Sequence, residues 1–169
     1  MKKLVLALVF IGVISCQQEK IAFVDNVKLM DTYQEKMDIE AKFKTRTETF
    51  GKKRDSISQA FQLEAQAFQA KAQKMAQSKA QEEYGQLQQR SQMIGQQLQQ
   101  EEQQLQMQGQ TEMDSLVSRV KKEIKAYGEA NGYSFILTGG DGGSVLYGKE
   151  AHNVTDAIVK ILNDNYVKE

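Results

Sequence analysis

Along the middle of the chain the apolar residues recur at sevens and fours, and the positions between them are almost all polar. Phe43, Phe50 and Ile57 share one heptad phase. Phe61 follows four residues later and opens a second phase with Phe68 and Met75. Beyond Ser78, Tyr84, Leu87, Ile94, Leu98 and Leu105 repeat at threes, fours and sevens. Such a narrow stripe is the seam of a coiled coil, not the broad face of a helix on a globular core. Gln, Lys, Glu, Ala and Met, all good helix formers, fill the other positions, and the chain has no proline. The pattern predicts helix over residues 34–127. One continuous helix would reach about 140 Å at ~1.5 Å per residue. Ser78-Lys79-Ala80-Gln81 has the form of a capping box that restarts a helix, which favours a fold-back near residue 78. Two antiparallel helices of roughly 45 residues then make an arm of about 65–70 Å.

The ends carry a different pattern. Lys20 to Asp25 reads as a short strand closed by Asp25-Asn26, and Val27 to Tyr33 leads into the arm with Leu29, Met30 and Tyr33 facing the body. Met113, Leu116, Val117, Val120 and Ile124 widen the apolar face where the arm rejoins it. A glycine after the last basic turn predicts the helix end at Tyr127-Gly128 or at Asn131-Gly132. Tyr133–Thr138 and Ser144–Gly148, separated by Gly139–Gly143, predict a β-hairpin. Thr155 is expected to cap a final helix that shows Ile158, Ile161 and Leu162 on one face. The fold class is therefore α+β, mainly α: a helical-hairpin arm on a β body split between residues 20–33 and 128–169. A body of roughly 55 residues without disulfide or metal is too small to stand alone, so oligomerisation is expected. Its strand residues Ile21, Phe23, Phe135, Leu137, Val145 and Tyr147 are the candidates for the subunit contacts.

Composition qualifies this picture in two places. Residues 59–110 are dominated by glutamine, and glutamine tracts can be disordered, but apolar residues at heptad spacing interrupt this one and favour helix. At the N-terminus, Met1-Lys2-Lys3 and the apolar run Leu4–Ile14 read as a signal peptide over 1–15, too short to span a bilayer. Val13-Ile14-Ser15-Cys16 looks like a bacterial lipobox, which makes Cys16 the lipidated first residue of the mature chain and 16–19 a short spacer. Cys16 is the only cysteine, so no disulfide forms within a subunit. Loss of Lys2 and Lys3 leaves 20 basic and 22 acidic side chains, a net charge of −2 that argues against a nucleic-acid partner.

Lys20-Ile21-Ala22-Phe23-Val24-Asp25, the Gln/Lys-rich hairpin, the Tyr133–Leu137 strand and the closing Val154–Val159 together resemble the Skp/OmpH family of periplasmic chaperones. The order of parts carries the resemblance, over nearly the whole mature chain. It implies a jellyfish-shaped homotrimer with a β-barrel body shared by the three subunits. Three arms would enclose a cavity that holds unfolded outer-membrane β-barrel proteins without ATP. The chain departs from the best-known members, which are basic and soluble, in being near neutral and carrying a lipobox.

Chemistry points the same way. His152, the only histidine, has no Ser or Cys partner to serve a nucleophilic mechanism. Gly139–Gly143 joins two predicted strands, whereas a phosphate loop joins a strand to a helix. No cluster has metal-ligand spacing, no cofactor is expected, and Asn153-Val154-Thr155 carries no weight as a glycosylation sequon in a bacterial lipoprotein. Leu63, Met93 and Met107 are different. They lie about 200° from the seam or well off it, at ~100° per residue, and are the candidate client contacts. Flexible, polarizable methionine suits a surface that accepts many partners. The rival reading is a lipid-anchored coiled-coil spacer or assembly adaptor of the cell envelope.

Overall fold

A computed structural model describes residues 19–167. In chain order it contains strand β1 (Ile21–Asp25), helix α1 (Asn26–Thr32), helix α2 (Gln34–Ala72) and helix α3 (Gln77–Ala130). Strand β2 (Phe135–Gly139), a 3-10 turn at Glu150–His152 and helix α4 (Thr155–Asn165) follow. The fold is α+β and mainly helical. The expected signal peptide, Cys16, Gln17 and Gln18 lie outside the described residues. The chain divides into two compact units: residues 35–117, and the two flanking segments together.

The first unit is a hairpin of two antiparallel helices. Arg46 meets Glu112, Lys53 meets Glu101, Glu64 meets Arg90, and Phe68 meets Tyr84, so the partners converge in sequence toward the turn. That turn is Gln73–Ala76, earlier than the expected position. The end of α2 tightens through bonds from Lys74 N–H to Lys71 O (2.9 Å) and from Met75 N–H to Ala72 O (3.2 Å). Helix α3 is already under way at Gln77, which puts Ser78 inside its first turn instead of at the predicted cap.

The second unit is built on β1. Strand β2 pairs with it in parallel, with Ile21 opposite Phe135 and Phe23 opposite Leu137. The predicted hairpin does not form. Val145 contributes one bridge to Gly139, and Ser144–Gly148 is not a strand. Physically, the glycine run curls back on itself: Gly140 and Gly142 sit at φ 79° and 77°, and Gly143 N–H bonds Gly140 O. The other edge of β1 is taken by the approach to α4. Val154 N–H donates to Phe23 O at 3.0 Å and Asp25 N–H to Thr155 Oγ1 at 2.9 Å. Thr155 is therefore not the cap of α4. Its hydroxyl accepts the last free N–H of β1, and Val154 holds the cap position with no side-chain bond.

Alternation along β1 sends Ala22 and Val24 inward, where Leu29, Tyr33, Val154, Ile158 and Leu162 are also buried. Helix α1 ends at Tyr33, whose ψ of 116° breaks the path to α2. Asn163 bridges that break from α4. Its side chain donates to Thr32 O (3.2 Å) and accepts from Gln34 N–H (2.9 Å), so one carbonyl and one N–H freed at the break are paired by a single residue. Helix α3 stops at the second of its two predicted sites. Gly132 adopts φ 67°, Tyr133 N–H bonds Gly128 O, and Gly132 N–H bonds Glu129 O, a Schellman ending. On the surface, the Asp156 carboxylate 2.7 Å from Lys28 holds that ammonium above its ordinary pKa. Burial, then the neighbouring Tyr133, pushes the Tyr127 hydroxyl upward.

Ile158 is fully buried where α4 meets the rest of this unit. Ile158→Ala should lower stability by about 2–5 kcal/mol, through lost transfer energy and the cavity left behind. Denaturant unfolding at fixed protein concentration measures it.

Candidate functional site

The hairpin offers a long surface organised around a narrow apolar seam. Phe50 is its most buried aromatic, and Phe43, Ile57, Phe61, Phe68, Met75, Leu87, Ile94, Leu98 and Leu105 are all half-buried. Tyr84 is the exception among the eleven candidate seam residues. It is exposed near the turn, with its ring 6.2 Å from that of Phe68. The ion pairs Arg46–Glu112, Lys53–Glu101 and Glu64–Arg90 join the two helices at 2.6–2.8 Å. All three are solvent-accessible and each contributes at most about 1 kcal/mol. They fix register more than they add stability.

Gly109 is a seam residue that the heptad reading omits. A β-carbon there would lie 2.7 Å from the Phe43 ring, so the glycine is the socket into which that ring fits. The signal was present: Gly109 follows Leu105 by four residues, in phase with the stripe. Phe43, Gly109, Ile39 and Met113 line an apolar groove of about 400 Å³. A second groove of about 380 Å³ runs beside Phe50 and Leu105 under the Lys53–Glu101 pair. Both open to solvent.

Leu63, Met93 and Met107 are 66%, 56% and 64% exposed. Met93 and Met107 are fourteen positions apart on α3, within about 40° of each other around the axis at ~100° per residue. Glutamines 96, 100 and 103 fall on the same strip between them, so these sulfurs interrupt a polar, uncharged face. Leu63 belongs to α2.

A second apolar surface lies on the strand unit. The parallel register places Ile21, Phe23, Phe135 and Leu137 on one face of the two-stranded sheet, opposite the side that Ala22 and Val24 bury. Ile21, Phe135 and Leu137 are exposed, Phe135 to 58%. Phe23 is half-buried, because its ring packs against Gly139 and Gly148. Val145 is half-buried, and beyond it Leu146 and Tyr147 stand in solvent, Tyr147 to 84%. The residues of this face are legible as strand residues, but no local pattern announces the parallel pairing that creates it.

His152 is structural: its Nδ1 lies 3.1 Å from Ile21 O at the edge of β1. Gly140 packs against the Asp25 carboxylate, a poor place for a phosphate. Among the described residues no group of His, Cys, Asp and Glu can hold a metal ion, and no helix is long and apolar enough to cross a membrane.

The family model described as outer membrane protein (OmpH-like) matches residues 20–162. No curated protein sequence gives a match. Among solved structures, the fold is similar to that of a protein from Caulobacter crescentus CB15 described as an outer membrane chaperone (OmpH-like). The TM-score is 0.77 at 18% sequence identity, over 88% of this chain and 86% of that one. At that identity the likeness is one of fold.

The two kinds of glycine in the hairpin separate experimentally. Gly109→Val should destabilise it by about 1–3 kcal/mol by displacing Phe43. A methyl group added at Gly51 would meet nothing within 4 Å, so Gly51→Ala should stabilise the helix by up to about 1 kcal/mol. Thermal unfolding followed by circular dichroism reads both.

Proposed function

The chain belongs to the OmpH-like outer membrane protein family, and from that premise we propose that it is an ATP-independent holdase chaperone for unfolded outer-membrane β-barrel proteins. One observation carries the reading. A long helical hairpin presents a polar surface, rich in glutamine over residues 59–110 and broken by isolated exposed apolar side chains, and its grooves open to solvent. A chaperone without a nucleotide cycle has to bind weakly enough to release. Leu63, Met93 and Met107 suit that demand, each offering about 1–2 kcal/mol when half covered. Several hairpins around one client multiply such contacts through effective concentration, with no need for strong affinity at any point.

In this reading the protein is a homotrimer whose subunits meet through the exposed sheet face of Ile21, Phe135 and Leu137, with Phe23, Val145 and Tyr147 beside it. A two-stranded sheet with one naked apolar face is a poor end state for a monomer, which favours burial against other copies. The hairpins of three subunits would surround the client. Cys16 would carry the lipid and hold the protein in the periplasm at a membrane, most simply the outer one. Acyl chains supply the strong hydrophobic anchoring that no described helix offers.

Leu63→Ser, Met93→Ser and Met107→Ser combined should leave helicity intact and speed release of an unfolded β-barrel protein several-fold, while aggregation of that client begins earlier. Unchanged release and aggregation kinetics would favour the envelope spacer instead.

The subunit contact has its own test. Leu137→Asp should abolish trimer assembly and destabilise the strand unit with it, because a charge placed on the sheet face would be buried unpaired on assembly. Sedimentation velocity reads the outcome, and a wild-type monomer would exclude this interface.

A further inference from the structure

The methionines among the described residues fall into two groups. Met30, Met75 and Met113 are half-buried, and Met113 lines the groove beside Phe43. Met93 and Met107 stand 56% and 64% exposed on α3, and Met37 near the start of α2 is 40% exposed. Their surroundings separate the exposed ones further. Met37 shares its side of α2 with Glu40, Lys44 and Glu48. On α3, at ~100° per residue, the arc of about 140° that holds Met93 and Met107 has no charged side chain between Gly85 and Met113. Apart from the two methionines, Gly85 and Thr111, every residue on that arc is glutamine, and all of them are exposed.

Oxidation acts differently on the two groups. A thioether sulfur attacks one oxygen of hydrogen peroxide: the S–O bond forms, the O–O bond breaks and sulfur gives up two electrons. The displaced hydroxide takes the proton left on the transferred oxygen and departs as water. The product sulfoxide is polar and accepts hydrogen bonds, much as a glutamine amide does. At half-buried Met113 it would intrude on the apolar groove beside Phe43, at a cost to the hairpin. At Met93 and Met107 it would meet water, and the arc would become polar along its whole length. Oxidation there deletes two apolar contacts and leaves the seam as it was.

We infer that Met93 and Met107 form an oxidant-sensitive site: peroxide converts both to sulfoxides, and the hairpin loosens its hold on client while staying folded. The inference rests on the reading of these two residues as client contacts. It adds a condition to that reading, because a chaperone without a nucleotide cycle then gains a chemical trigger for release. Leu63 carries no sulfur and keeps its contact, so the loss is partial.

The test uses the mature chain carrying Cys16→Ser, whose only sulfurs are those of methionine. Graded hydrogen peroxide, quenched before client is added, should oxidise Met93 and Met107 ahead of Met30, Met75 and Met113 in peptide mass spectra. The circular dichroism spectrum should not change. The oxidised chain should release an unfolded β-barrel protein roughly fivefold faster than the untreated one. Met93→Gln with Met107→Gln should release at that faster rate without peroxide. Met93→Leu with Met107→Leu should hold client like the parent and ignore peroxide, which removes Met37 as the cause. Equal oxidation of all the methionines, unchanged release after oxidation, or a leucine variant that still responds to peroxide would overturn the inference. An untreated chain that holds no client would remove the holdase reading itself, and this inference with it.

Discussion

Strand β1 is the constraint on which its unit depends. Five residues near the start of the chain must find partners on both edges, and both partners lie more than a hundred positions away. β2 occupies one edge, and Val154 and Thr155 close the other. Closing so large a loop would be slow if the intervening chain were a random coil. It is not: an antiparallel hairpin returns the chain near to where it left, so the effective loop is far shorter than the sequence suggests. The hairpin thus serves the strand unit before it serves any partner.

Its own stability is uneven. Phe50 is buried and Gly109 receives the Phe43 ring in the half away from the turn, whereas the Phe68–Tyr84 contact near the turn leaves Tyr84 56% exposed. Two helices joined by a narrow seam cannot bury much apolar area per residue, and the rim ion pairs are too wet to compensate. The turn end is therefore where local opening costs least. On such a frame the proposed client contacts, scattered Leu and Met, can adapt to their occupant.

The sequence discloses these features to different depths. The heptad phases place the seam residues, because helical periodicity is local and repeats many times. The turn is displaced from Ser78 because a capping box is a four-residue signal, easily matched by chance within Gln- and Ser-bearing helix. Reading Gly139–Gly143 as the turn of a hairpin follows the strongest local cue available. The chain instead satisfies β2 with a strand over a hundred residues upstream, a choice that no local pattern encodes. Thr155 misleads for a similar reason: its hydroxyl is taken by Asp25 N–H, a partner invisible in its own neighbourhood. The proposed client contacts are legible only as off-seam apolar positions. The apolar sheet face needed the parallel register to assemble it.

Asn163 has a consequence for the order in which the protein is made. Its side chain closes the break at Thr32–Gln34, and its helix packs beside the first strand, so the stretch around β1 is completed by residues synthesised about 130 positions later. A nascent chain can zip its hairpin while still emerging, yet β1 keeps an open edge until Val154 and Thr155 arrive. Folding of that unit therefore waits for the approach to α4, and a chain cut short before residue 154 would carry an unsatisfied strand edge, the feature by which quality-control proteases and aggregates alike find their targets.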